Sequence, residues 1–218
     1  MATLSRPRFI ALVAVLSGTG CASFLRPDGP RTVPPGSGAF HLAPSVYASK
    51  RDDGSGFNLD LMYRRGVAAR ADAGLRLNLF GVAGDVKVQL VRAEDPTRGV
   101  EVAVAPSLGY GADIAWTGQG DDPEWALQVG LPIIVGINLG RYQLVLSPQL
   151  LYQRVDVLPD GIINAGGTVA FGKIGGEGFS FYPALAVWKS LDARHPVASL
   201  RSPGPLVFQP AIVLRWGP

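Results

Sequence analysis

The stretch "RYQLVLSPQLLYQRVD", from Arg141 to Asp156, limits what this chain can fold into more than any other feature. Alternate residues from Tyr142 are Tyr142, Leu144, Leu146, Pro148, Leu150 and Tyr152. The set between them is Gln143, Val145, Ser147, Gln149, Leu151 and Gln153. A period of two sorts side chains onto opposite faces of an extended strand, whereas a helical period would mix the two sets. One face is therefore apolar with an aromatic at each end, and the other is mostly polar.

The same alternation returns along the chain. Phe57, Leu59, Leu61 and Tyr63 share a face, as do Leu75, Leu77 and Leu79, and Val86, Val88 and Leu90. The longest apolar face runs through Trp125, Leu127, Val129, Leu131, Ile133, Val135 and Ile137. The last one carries Leu206, Phe208, Pro210, Ile212, Leu214 and Trp216. This pattern predicts strands at 39–49, 55–64, 70–79, 83–92, 100–112, 124–138, 142–154, 163–173, 179–188 and 205–216. Their lengths cluster near the roughly 9–11 residues that a tilted membrane-crossing strand requires, above the 5–6 usual in globular sheets.

The second face decides between two solvents. On a soluble sandwich or lipocalin it would meet water and be rich in Lys, Glu, Thr and Asp. Here it is Gly, Ala, Ser, Asn and Gln with isolated charges, a poor solvent face. Charged residues are 17% of the chain, against about 25% in an average soluble protein. Small residues and single charges suit the crowded interior of a narrow barrel, where the charges pair. The candidate lumen network is Asp60, Arg64, Asp72, Arg76, Asp85, Lys87, Glu101 and Arg154. Its two signs favour a structural plug over a small polar conduit.

The aromatics give a length test. Tyr142 and Tyr152 lie ten residues apart on one face, about 33 Å along a strand; at a tilt of about 40° this is roughly 25 Å of height, the apolar band of a membrane barrel. The candidate girdle is Phe57, Tyr63, Tyr110, Trp125, Tyr142, Tyr152, Phe208 and Trp216. Prolines 106, 132, 148, 183 and 210 fall inside strand candidates and are expected at bulges or rims, since each removes a ladder donor.

The first twenty residues read as an address. Arg6 and Arg8 precede an apolar run from Phe9 to Leu16, and small residues lead to Cys21. That run is too short to span a bilayer and has the form of a secretory signal. A cysteine directly after the small residues resembles the bacterial lipoprotein signal, which implies lipidation at Cys21; an ordinary signal with Cys21 incidental is the other reading. Residues 21–38, with the Pro/Gly-rich "RPDGPRTVPPGSG", read as an extended tether, and 39–218 as the barrel domain.

Several function classes drop out. One cysteine allows no internal disulfide, and no Cys/His set has zinc spacing. Basic residues are scattered without interleaved aromatics, so no nucleic-acid partner is expected. The only histidines, His41 and His195, lack a nucleophile at a recognisable spacing, and no glycine run has a phosphate-loop setting. No enzymatic activity and no cofactor or metal are expected.

Over residues 40–216 the chain resembles the small eight- to ten-stranded outer-membrane β-barrel proteins of Gram-negative bacteria. The resemblance implies an all-β, closed, antiparallel up-and-down transmembrane barrel of about ten strands, in the outer membrane. It implies the lipid bilayer and the barrel-assembly machinery as partners, with Trp216 as the terminal aromatic. Both termini would lie on the periplasmic side, where a lipid on Cys21 would enter the inner leaflet. The alternative is a soluble lipocalin-like barrel with an apolar ligand inside, tethered by that lipid.

Overall fold

The computed structural model describes residues 23, 25–49, 55–79, 81–112, 125–155, 161–173, 177–191 and 206–218. Eleven strands occur in this order: β1 (Gly38–Ser49), β2 (Ser55–Ala68), β3 (Ala71–Asn78), β4 (Gly81–Val91), β5 (Arg98–Val104), β6 (Ser107–Ala112), β7 (Trp125–Leu139), β8 (Tyr142–Val155), β9 (Ile162–Gly172), β10 (Gly178–Ser190) and β11 (Val207–Gly217). Apart from β5 and β6, neighbours in sequence pair antiparallel, and β1 pairs with β11, so the sheet closes on itself and has no free edge. β5 and β6 are one stave of the barrel, since both lie between β4 and β7. The barrel therefore has ten staves, as the alternation predicts.

The stave breaks at Ala105–Pro106. Proline has no N–H to give the ladder. The ladder reconnects around it, because Ala105 N–H donates to the Pro132 carbonyl (3.1 Å) and Val86 N–H to the Pro106 carbonyl (3.3 Å). The other prolines were expected at bulges or rims and lie elsewhere. Pro148, Pro183 and Pro210 stand in mid-strand and point outward, and Pro132 points into the lumen. Register continues through Pro183↔Ile212 and Leu185↔Pro210. Hydrogen bonds from the residues on either side hold the pairing where one donor is missing.

The rim where β1 begins at Gly38 and β11 ends at Gly217 is called proximal here. It carries the tight turns Ala69–Arg70 and Gly140–Arg141, the latter with φ +67° at Gly140, a backbone conformation that glycine adopts without strain. It also carries the β4–β5 connection, where Asp95 accepts hydrogen bonds from the Thr97 hydroxyl and N–H, which hold its carboxyl below the usual range. The longest connections, 113–124 and 191–206, leave from the opposite, distal rim.

The apolar faces look out. Leu75, Val129, Ile133 and Leu146 are 49%, 49%, 43% and 37% exposed on the outer wall. Ala103, Ala105, Val145, Ala170, Ala186 and Tyr182 are buried inside. A lipocalin-like barrel needs the reverse arrangement, so that alternative is excluded. An exterior this apolar on every strand is solvated by hydrocarbon, where closure satisfies the backbone polar groups.

Candidate functional site: a lumen filled by the N-terminal segment

The inner wall is electrically lopsided. Lumen-facing positions on β2–β5 supply Asp60, Arg64, Asp72, Asp85, Lys87 and Glu101, all 8% exposed or less. The facing positions on β7–β9 are uncharged: Gln128, Gln143, Ser147, Gln153, Asn164 and Thr168. The period of two produces this directly, since each charge occupies an inward position on its strand.

Arg64 sits at the centre of the charged half. Its guanidinium lies 2.5 Å from Asp72 Oδ1, 2.6 Å from Asp85 Oδ1 and 3.3 Å from Asp28 Oδ2. Gly74 makes room for it. A Cβ at Gly74 would stand 2.7 Å from Arg64 Nη1 and 3.0 Å from Asp85 Oδ2. Lys87 Nζ lies 3.1 Å from Asp28 Oδ2 and 3.6 Å from Asp72 Oδ2, and donates to the carbonyls of Gly29 (2.9 Å) and Arg31 (2.8 Å).

Three of those partners, Asp28, Gly29 and Arg31, come from the segment that reads as a tether. Residues 25–30 and 33 pack inside the barrel and do not form a free linker. Arg26 reaches Asp85 at 2.9 Å, Tyr182 donates its hydroxyl to the Pro27 carbonyl, and Arg31 Nε reaches Glu101 at 2.9 Å. Val33 N–H donates to Asp72 (2.9 Å), and Arg76 donates to the Leu25 carbonyl (3.0 Å). At the proximal rim Gly36, with φ +79°, turns the chain back into β1 while its N–H donates to the Gly66 carbonyl (3.0 Å). Gly66 is where the segment passes closest to the wall. A Cβ there would collide with the carbonyl oxygens of Pro34 and Val33.

Seven of the eight lumen-network residues line the interior, and six of them are buried there; Arg76 is partly exposed and holds Leu25. Arg154 is different: it is exposed on the outer face near the distal end of β8, opposite Leu127. The reason is in the alternation itself, because Arg154 shares the parity of Tyr152 and Leu150.

Of the girdle residues, Phe57, Tyr63, Tyr110, Tyr142, Tyr152, Phe208 and Trp216 are exposed on the outer wall. The side chain of Trp125 lies outside the described residues, as do Cys21 and His195. Tyr142 and Trp216 stand near the proximal rim and join aromatics that the alternation alone did not single out. Tyr142 stacks on Phe171 with centroids 5.7 Å apart, and Trp216 contacts Phe179 (5.2 Å) and Phe40 (6.1 Å).

The residues missed in the sequence are Ser23, Arg26, Asp28, Arg31 and Arg215, whereas His41, 3% exposed, is buried in the barrel interior as a structural histidine. One signal was available. On β2–β5, four carboxylates face only Arg64, Arg76 and Lys87 once Arg154 is set aside. The shortfall of positive charge points to a cation from elsewhere, and Arg26 supplies it. Among the described residues no three His, Cys, Asp or Glu side chains gather as a metal site.

No protein-family model and no curated protein sequence matches the chain. Solved structures similar to it include the translocator domain of the autotransporter NalP from Neisseria meningitidis, with a TM-score of 0.38 and 8% identity over 96% of this chain and 93% of that one. OmpT, an outer membrane protein of Vibrio cholerae, has a TM-score of 0.29 and 8% identity over 83% of this chain and 96% of that one. Ail, the attachment invasion locus protein of Yersinia pestis, has 0.24 and 10% identity over 83% of this chain and 97% of that one. All three scores are low, and the architecture rests on the strand pairing of the chain itself.

Proposed function

We propose that this protein is an outer-membrane barrel held closed by its own N-terminal segment. Its role is structural, in the integrity of the envelope, and it is not an enzyme. Cys21 carries a lipid, and the chain reaches the bilayer through the barrel-assembly machinery. The observation that carries this reading is the set of ion pairs between Arg26, Asp28 and Arg31 and the wall residues Asp85, Lys87, Arg64 and Glu101. Paired buried charges are costly to separate, which suits a permanent filling rather than a conduit. The apolar outer wall and its aromatic rims support a bilayer environment.

The test is conductance in a planar bilayer. The refolded chain from residue 21 onward is expected to carry no steady current, and a deletion of residues 25–33 is expected to carry one. Steady conductance by the undeleted chain would sink the closed-barrel reading. Lipidation has its own readout, incorporation of labelled fatty acid that disappears in Cys21→Ser. That variant is still expected to need detergent for extraction.

A further inference from the structure

A cavity of about 210 Å³ opens at the proximal mouth, between the N-terminal segment and the wall. Arg31, Arg64, Lys87, Arg92 and Arg215 line it, and Asp28 is its one acidic side chain. Some of these cations are already committed. Arg64 and Lys87 share Asp28 and Asp72, Asp85 also holds Arg64 and Arg26, and Arg215 donates to the Pro218 oxygen. Arg31 gives its Nε to Glu101, which leaves its two terminal nitrogens without a hydrogen bond among the described residues. Arg92 lies just past the end of β4, exposed. With Arg215 held by Pro218, the five cations Arg26, Arg31, Arg64, Lys87 and Arg92 stand among the four side-chain carboxylates Asp28, Asp72, Asp85 and Glu101, and the surplus sits at the outer end. His41, 3% exposed, also lines this cavity, and its Nδ1 has no partner.

We propose that this cavity binds a phosphate group. Guanidinium groups present planar pairs of N–H donors that match a tetrahedral oxyanion, and binding compensates a surplus of positive charge at the edge of a low-dielectric interior. Arg31 and Arg92 hold the anion from opposite elements, the N-terminal segment and the end of β4, and His41 donates from Nδ1. The volume accommodates one phosphate with several waters. The lining comes from inward positions and from the N-terminal segment, so the site faces the lumen mouth and not the outer wall. That geometry favours phosphate borne by a soluble molecule, although a lipid headgroup shares the chemistry.

The test follows the refolded chain from residue 21 onward, in neutral detergent, by its thermal unfolding midpoint. Inorganic phosphate is added against chloride at matched ionic strength. A phosphate-specific rise is expected, growing with the logarithm of concentration above the dissociation constant. Arg92→Ala is expected to weaken the apparent affinity at least tenfold. Arg141→Ala, whose guanidinium lies over the Tyr142 ring at 5.1 Å outside the cavity, should respond like the parent chain. Phosphatidylglycerol in the micelle is the second arm: a rise there without one in inorganic phosphate assigns the site to lipid headgroups. No rise in either arm, or an equal rise in Arg92→Ala, would overturn the proposal.

Discussion

Arg26 and Asp85 are 59 positions apart in sequence and 2.9 Å apart in the lumen, with side chains 2% and 3% exposed. This contact ties the N-terminal segment to β4. Asp85 also holds Arg64 at 2.6 Å, so its two partners depend on it unequally. Removing Arg26 leaves Asp85 still paired. Removing the Asp85 charge leaves two buried guanidinium groups short of a counterion, although Arg64 retains Asp72. Asp85→Asn is therefore predicted to cost about 3–5 kcal/mol, the usual penalty for orphaning a buried charge, and Arg26→Ala distinctly less. Urea unfolding in lipid vesicles, read as the midpoint at constant slope, checks the order. A larger loss in Arg26→Ala would contradict it.

Gly66 tests whether the segment is held by fit as well as by charge. The carbonyl oxygens of Pro34 and Val33 occupy the place of a Cβ at Gly66, and both belong to the backbone. Gly66→Ala leaves every charge in place yet removes the seat of the turn at Pro35–Gly36. The variant is predicted to fold as a barrel but to open intermittently, which would appear as bursts of current in a planar bilayer. Arg31, with a side chain 38% exposed, should then be cut faster by trypsin. A variant as silent and as resistant as the parent chain would show that the ion pairs alone hold the segment.

The barrel was legible because period two is a local property. Tyr142, Leu144 and Leu146 report their face without knowledge of any partner, and the strand limits follow within a few residues. The exceptions share one cause, which is that tertiary context is not written locally. Pro106 breaks a stave whose alternation is otherwise unbroken. Arg154 joins the lumen set by its charge, although its parity puts it outside. The segment from Arg26 to Arg31 has the composition of a linker, and nothing within it says that Asp85 and Glu101 wait on a wall formed much later in the chain. For the same reason the charges on β2–β5 are visible in the sequence and those of the N-terminal segment are not.

The outer wall gives a prediction of depth. Leu146 lies near the middle of β8 and faces outward, next to Ser147, which is 1% exposed and faces the lumen. Leu146→Arg is predicted to destabilise the barrel by about 2–4 kcal/mol in a bilayer, the cost of a cation at mid-depth on a lipid face. The same change at Leu139, at the proximal end of β7, should cost about 1 kcal/mol or less, because the charge can reach the interface. Equal costs at the two positions would mean that the wall does not meet a hydrocarbon slab, and would count against a membrane location.

The direction of the N-terminal segment sets where the chain before it goes. Ser23 Oγ donates to Asp60 Oδ2 (2.6 Å) and accepts from Gln209 Nε2 (3.0 Å). Gln209 is two residues from the distal start of β11 and eight from its proximal end. Ser37, in contrast, bonds Gly66 at the proximal rim. The segment therefore descends through the lumen from the distal half. With Cys21 at most about 7 Å of chain from Ser23, the chain before Ser23 is predicted on the side of the long connections and not beside Gly38. An epitope inserted between Ala22 and Ser23 is predicted to be bound by antibody on intact cells. A second epitope, in the Gly140–Arg141 turn, should be reached only after the outer membrane is permeabilised. If both require permeabilisation, the chain enters the lumen from the periplasmic side and the descent is wrong.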